Sequence, residues 1–193
     1  MVLSLEQIIQ ICNAKSVIGE NLVNTINLKE TQIHHLLYDS RRLNFTDNTI
    51  FFAFKTADND GHKYIKELYN KGIRFFICQQ IPDSNKFPNA VFLLVNNTLD
   101  ALQQIAKYKR ENFKKEVVAI TGSNGKTIIK EWVVQLAQED KKICYSPRSY
   151  NSQIGVSLSL WQLNSSYDLG LFEAGISKPN EMKRIKSFMI MLG

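Results

Sequence analysis

The sequence predicts an α/β chain in two parts. A small N-terminal α/β domain is expected over residues 1–113, and a doubly wound, parallel domain over 114–193. Three observations carry this. Short runs rich in Ile, Val, Leu and Phe alternate with segments of helical period. A glycine-punctuated loop breaks one strand-to-helix junction, in Val117-Val-Ala-Ile-Thr-Gly-Ser-Asn-Gly-Lys-Thr127. Strand and helix go on alternating after that loop, which is the order of a parallel sheet.

In the first part, Ser4-Leu-Glu-Gln7 has the spacing of a capping box ahead of an amphipathic helix over about residues 5–13. Strands are expected near 33–37, 49–54, 73–78 and 91–95, each flanked by polar turns. His62 to Asn70 carries a helical pattern with Tyr64, Ile65, Leu68 and Tyr69 on its apolar side, and Gly72 follows as a cap. A helix over about 98–112 places Leu99, Leu102, Ile105 and Ala106 on one face.

The second part reads as strand 117–120, helix 127–139, strand 142–145, helix 154–162, strand 168–173 and a helix near 179–187. Doubly wound sheets usually carry about five or six strands. The domain therefore reads as truncated, and Lys186 to Gly193 do not read as a further strand.

Composition is that of a globular protein, 44% hydrophobic and 22% charged, with a formal net charge of +6. Basic residues occur in short patches, Arg41-Arg42, Lys107 to Arg110, Lys114-Lys115 and Lys183 to Lys186, without the clustering of a nucleic-acid face. The surplus suits anionic small-molecule substrates. No apolar run approaches the roughly 18 residues of a membrane span. The N-terminus lacks the regions of a signal peptide, so a cytoplasmic location is expected. Cys12, Cys78 and Cys144 are scattered without metal-ligand spacing and read as buried thiols. Trp132 and Trp161 read as core residues of helix faces.

Strand, glycine loop, Lys-Thr and helix form the arrangement that holds a nucleoside triphosphate. Gly122, Ser123, Asn124 and Gly125 would present backbone N–H groups to the phosphates, above the positive end of the helix dipole. Lys126 would reach the β- and γ-phosphates of ATP, and the Thr127 hydroxyl would ligate Mg²⁺. The spacing is the shorter form Thr-Gly-x-x-Gly-Lys-Thr, because Ile120 stands where the longer pattern has its first glycine. An ordinary strand-to-helix turn with a surface lysine is the alternative.

Several stretches together resemble the Mur ligases, the ATP-dependent amide ligases of peptidoglycan synthesis. Thr121 to Thr127 matches that family's loop. Asp39-Ser40-Arg41 resembles its N-terminal Asp-Ser-Arg motif, and Phe51 to Phe54 with Asp60-Gly-His62 its next block. Asn151-Ser-Gln-Ile-Gly155 and Phe172-Glu-Ala-Gly175 resemble the branch that joins D-alanyl-D-alanine to UDP-N-acetylmuramoyl-tripeptide. The Thr-Thr-Pro loop of the tripeptide-forming branch is absent. Ser146 to Gly155 is most similar to a form of the enzyme fused to an alanine racemase domain. Ser157 and Asn180 depart mildly from the family pattern.

The resemblance implies a substrate carboxylate activated as an acyl phosphate by ATP and then attacked by an amine. Lys126 and Glu173 would be catalytic, with Thr127 and Glu173 holding Mg²⁺. Ser40 and Arg41 would bind the uridine diphosphate, with His62 and Asn151 as further substrate contacts. Each has a plainer alternative: Glu173 a surface acid at a strand end, Asp39 a turn residue, Asn151 a loop residue, and His62 a structural residue at a helix start. A binding fragment without turnover, and a phosphate-loop NTPase of unrelated function, remain as other classes.

Overall fold

The computed structural model describes residues 2–147, 150–175 and 190–192. They form two compact units, 2–102 and 103–193. The division falls within helix Thr98–Asn112, whereas the sequence reading placed the boundary at 113/114. The helix expected at 179–187 lies outside the described residues.

The first unit opens with β1 (Leu3–Ser4) and α1 (Leu5–Cys12). Ser4 caps α1 as expected: its hydroxyl accepts from Gln7 N, and the Gln7 side chain accepts from Ser4 N at 2.9 Å. β2 (Lys15–Ile18), which the sequence reading did not anticipate, lies antiparallel to β7 at the sheet edge. The run read as one strand over 33–37 divides at His34 into β3 (Gln32–Ile33) and β4 (His35–Leu37). β3 pairs with β1 and β4 joins the main sheet, so one apolar run serves two sheets.

β5 (Thr49–Phe52), β6 (Phe75–Cys78) and β7 (Val91–Leu94) complete a five-stranded sheet of order β2-β7-β6-β5-β4. β4 to β7 are mutually parallel. α2 (Ile65–Asn70) follows a 3-10 turn, Gly61–Tyr64, and Gly72, with φ +108°, ends it in the left-handed region. Phe51, Phe76 and Phe92 are fully buried and meet in the core, with Phe76 stacked on Phe92 at 5.2 Å. Burying one such ring contributes about 1.5–3 kcal/mol.

α3 (Thr98–Asn112) leads to the second unit. There β8 (Val117–Ile120), α4 (Lys126–Ala137), β9 (Ile143–Tyr145), α5 (Gln153–Trp161) and β10 (Leu169–Glu173) alternate as the sequence predicts, and β11 (Ile190–Leu192) follows. The sheet is parallel, with order β11-β8-β10-β9. β11 corrects one expectation: Ile190, Met191 and Leu192 do continue the sheet, pairing with Val118 to Ile120.

Trp132 is another correction, being 63% exposed on α4 beside exposed Ile128, Ile129 and Leu136. Trp161 is half-buried, with the Lys109 ammonium 5.0 Å from its ring centre. The three cysteines are buried and unbridged, and burial pushes each thiol up to about 12.

Candidate functional sites

The second unit places its loop where the sheet topology favours a ligand. β8 is flanked by β10 and β11, and the chain leaves its carboxyl end into residues 121–125. Gly122 (φ +149°) and Gly125 (φ +79°) both need glycine's freedom to make the turn. Gly125 is the residue before α4, so Lys126 and Thr127 begin the helix and its first N–H groups face the loop. Lys126 Nζ donates to Gly122 O at 2.6 Å, which holds the ammonium over the loop.

Glu173 ends β10 in register with Ile120, beside the strand end that launches the loop. The carboxylate is fully buried, and its Oε2 accepts from Thr127 Oγ1 at 3.0 Å. Thr127 and Glu173 were assigned to one ion from sequence, and they meet although 46 positions separate them. Glu173 is therefore no surface acid. Asn151 lies just beyond: its carbonyl accepts from Gly175 N at 2.8 Å, next to the chain leaving β10. Gly155 packs against Tyr150, where a Cβ would come within 3.0 Å of backbone, and its N–H donates to the capping hydroxyl of Ser152.

Sequence reasoning missed Lys130. It is fully buried on α4, with Nζ 3.0 Å from Glu173 Oε1 and 2.8 Å from Ser146 O. A usable signal existed: Lys130 falls three residues after Thr127 and four before buried Val134, on the inward face of α4. A lysine there demands a counter-charge.

The first unit holds a separate cavity of about 520 Å³, lined by Tyr38, Asp39, Ser40, Arg41, Gly61 and Tyr64 among others. Asp39 caps the 3-10 turn Ser40–Arg42, accepting from Arg41 N at 3.1 Å. Its carboxylate also takes the Nε–Nη2 edge of the exposed Arg41 guanidinium at 2.9 and 2.8 Å. The side-chain hydrogen bond from Arg41 holds Asp39 below the usual carboxylate range. Asp39 is thus both turn residue and the group that orients Arg41.

His62 does not line this cavity, and its expected substrate contact finds no support in the geometry. Its Nδ1 faces Asp60 Oδ1 at 2.5 Å, and its Nε2 accepts from Gln79 N at 3.0 Å. Both ring nitrogens are used in tying the turn before α2 to the chain after β6. Backbone and ring hydrogen bonds from His62 lower the Asp60 carboxyl.

Residues 120–191 match the Mur ligase middle domain. That stretch places the second unit in the Mur ligase family. The chain is 30% identical over 184 residues to a UDP-N-acetylmuramoyl-tripeptide–D-alanyl-D-alanine ligase of Haemophilus influenzae, covering 93% of this chain and 37% of that protein. A ligase of the same name from Rickettsia prowazekii is 32% identical over 171 residues, covering 87% of this chain and 35% of the relative. The chain thus spans little more than a third of the length of these relatives.

Among solved structures, a MurF ligase from Thermotoga maritima in complex with ADP superposes with a TM-score of 0.69. It is 25% identical and is matched over 83% of this chain and 36% of its own. A UDP-N-acetylmuramoylalanyl-D-glutamyl-2,6-diaminopimelate–D-alanyl-D-alanyl ligase from Acinetobacter baumannii shares the fold at a TM-score of 0.81 and 23% identity, over 95% of this chain and 39% of that one.

Proposed function

We propose that this chain supplies the nucleotide-sugar and ATP-handling parts of a ligase that joins D-alanyl-D-alanine to UDP-N-acetylmuramoyl-tripeptide in cytoplasmic peptidoglycan synthesis. The observation that carries this is the 3.0 Å contact between Thr127 Oγ1 and Glu173 Oε2 at the mouth of the Gly122–Gly125 loop. A hydroxyl and a carboxylate are hard oxygen donors. They fit Mg²⁺, which takes one or two protein oxygens and completes its shell with phosphates and water. Mg²⁺ bound there would neutralise charge on the phosphates of ATP.

The chain's own residues position the reactants. The loop N–H groups and Lys126 take the β- and γ-phosphates and stabilise the charge on the phosphoryl group as it transfers. The tripeptide carboxylate attacks the γ-phosphorus and ADP leaves. The amine of D-alanyl-D-alanine then attacks the acyl carbon, phosphate leaves, and an amide is formed. Asn151, whose carbonyl is held beside the end of β10, would contact the substrate. In the first unit Ser40 and the Nη1 side of Arg41 suit the uridine diphosphate. The relatives named for this reaction support the substrate pair, and the Ser146–Gly155 wording supports a fused alanine racemase domain in the intact protein. A second reading is binding without turnover, favoured by the span of little more than a third of the relatives.

Calorimetry tests the assignment. ATP–Mg²⁺ should bind the chain, and Lys126→Ala should weaken it by at least about tenfold, or about 1.4 kcal/mol, while UDP-muramoyl-tripeptide binding survives. Arg41→Ala should do the reverse. Unchanged nucleotide affinity in a folded Lys126→Ala protein overturns the loop assignment. Loss of ATP binding in Arg41→Ala overturns the division of labour. A ligase assay beside a full-length relative separates ligation from binding alone.

A further inference from the structure

Lys130 shares a helix face with Thr127 but belongs to no phosphate loop. It is fully buried, and three oxygens surround its ammonium: Ser146 O at 2.8 Å, Glu131 Oε1 at 2.9 Å and Glu173 Oε1 at 3.0 Å. Ser146 closes a ring, since its hydroxyl accepts from Glu173 N at 3.1 Å. Glu173 Oε1 is itself buried with no hydrogen bond of good geometry among the described residues, so it rests on the charge of Lys130.

Burying an ion pair is expensive, and a well-packed apolar residue would serve the fold at least as well. A charge kept here therefore points to an electrostatic task. We propose that Lys130 is the resident counter-ion of Glu173, and that it makes the cation position take the metal–nucleotide complex in preference to the free metal. This rests on the reading of Thr127 and Glu173 as the magnesium-side pair.

The reasoning is charge balance. Glu173 carries one negative charge, and Lys130 cancels it before any ion arrives. A bare divalent ion would meet a Glu173 carboxylate whose charge the Lys130 ammonium already offsets, in surroundings where Coulomb forces are strong. Glu131 is 45% exposed, so water screens its contribution. A metal ion that arrives on a polyphosphate brings its own negative charge, which the loop N–H groups and Lys126 hold. Lys130 is then a positioning residue: it turns Glu173 Oε1 inward, leaves Oε2 toward Thr127, and sets which form of the metal binds.

Removing the lysine should strengthen one kind of binding, and a merely structural role would not. Mn²⁺ serves as the probe, followed by electron paramagnetic resonance on the full chain with and without ADP. Wild type should bind free Mn²⁺ weakly and Mn²⁺ with ADP well. Lys130→Met should bind free Mn²⁺ at least about tenfold more tightly than wild type, and Lys130→Arg should stay weak. Misfolding loosens metal binding, so it does not imitate this result.

Free-metal affinity that is unchanged or weaker in Lys130→Met, with Mn²⁺–ADP still bound by wild type, overturns the counter-ion role alone. Binding of neither form by wild type overturns the magnesium-side pair as well. Should Lys130→Met fail to fold, wild type decides: free Mn²⁺ held as tightly as Mn²⁺ with ADP overturns the proposal, and a clear preference for the complex upholds it.

Discussion

The two candidate sites are assembled in opposite ways. In the first unit the polar pair at the cavity is local: Asp39 with Arg41, two positions apart along the chain. In the second unit the decisive contacts join distant segments, Thr127 with Glu173 across 46 positions and Ser146 with Glu173 across 27. The exposures differ in the same sense. The Arg41 side chain is 87% exposed, whereas Glu173 and Lys130 are fully buried. A recognition group built on a turn can be changed without touching the core. A carboxylate built into the core, as Glu173 is, is part of what holds the second unit together.

Breaking the buried pair should therefore have the largest effect. Glu173→Gln removes the counter-charge of a fully buried ammonium, a change of the kind that costs about 3–5 kcal/mol. Urea unfolding followed on the second unit should show that loss. Arg41→Ala should leave the unfolding midpoint of the first unit where it was. Equal sensitivity at the two positions would erase the contrast.

Glycine substitutions sharpen the comparison at a smaller scale. A Cβ on Gly61 would stand 2.9 Å from both Phe54 N and Phe54 O, and Gly61 N already donates to Phe54 O at 2.7 Å. Backbone meets backbone there, so Gly61→Ala should cost about 1–3 kcal/mol through overpacking and deform the cavity that Gly61 and Phe54 line. A Cβ on Gly122 meets only Asn124 O at 3.8 Å. Gly122→Ala should cost about 1 kcal/mol through its φ of +149°, with its main effect on nucleotide affinity. Paired calorimetry and unfolding curves separate steric from conformational need.

The motifs legible in the sequence were those whose chemistry is contiguous. The Gly122–Thr127 loop, the capping box at Ser4 and the alternation of strand and helix all fell where periodicity and turn chemistry put them. The Thr127–Glu173 pairing was reachable because a carboxylate at the end of a parallel strand is a place where such sheets bind ligands. Lys130 was not read, because a lysine inside a helical pattern looks solvated until its partner is placed. For His62 the sequence left a substrate contact and a structural role at a helix start side by side, and only the fold brings Gln79 N and Gln80 N onto its Nε2. β2 and the division at His34 depend on which sheet edge is open, and local composition does not carry that.

The smallest expected effect contrasts two buried lysines of the second unit. Lys130 faces a carboxylate, while Lys109 lies over the Trp161 ring and near Cys144. Burial lowers Lys109 from its ordinary 10.5 to about 8. The sign follows from proton counting. Below pH 8 both folded and unfolded chains hold the proton, and the folded state bears the cost of burying the charge. Between about 8 and 10.5 the folded lysine has lost its proton while the unfolded one keeps it, so folding gains stability as pH rises. The buried thiols, held at about 12, pull the other way above pH 9. Cys12 and Cys78 do so in any variant that retains them and cancel in a difference, whereas Cys144, whose thiol the Lys109 charge lowers, adds to that difference above pH 9. The unfolding free energy of wild type relative to Lys109→Met, measured from pH 7 to 10, should therefore rise as pH passes about 8. A difference that stays constant across that range would mean that Lys109 keeps its charge in the folded protein, and the contrast with Lys130 would lose its electrostatic basis.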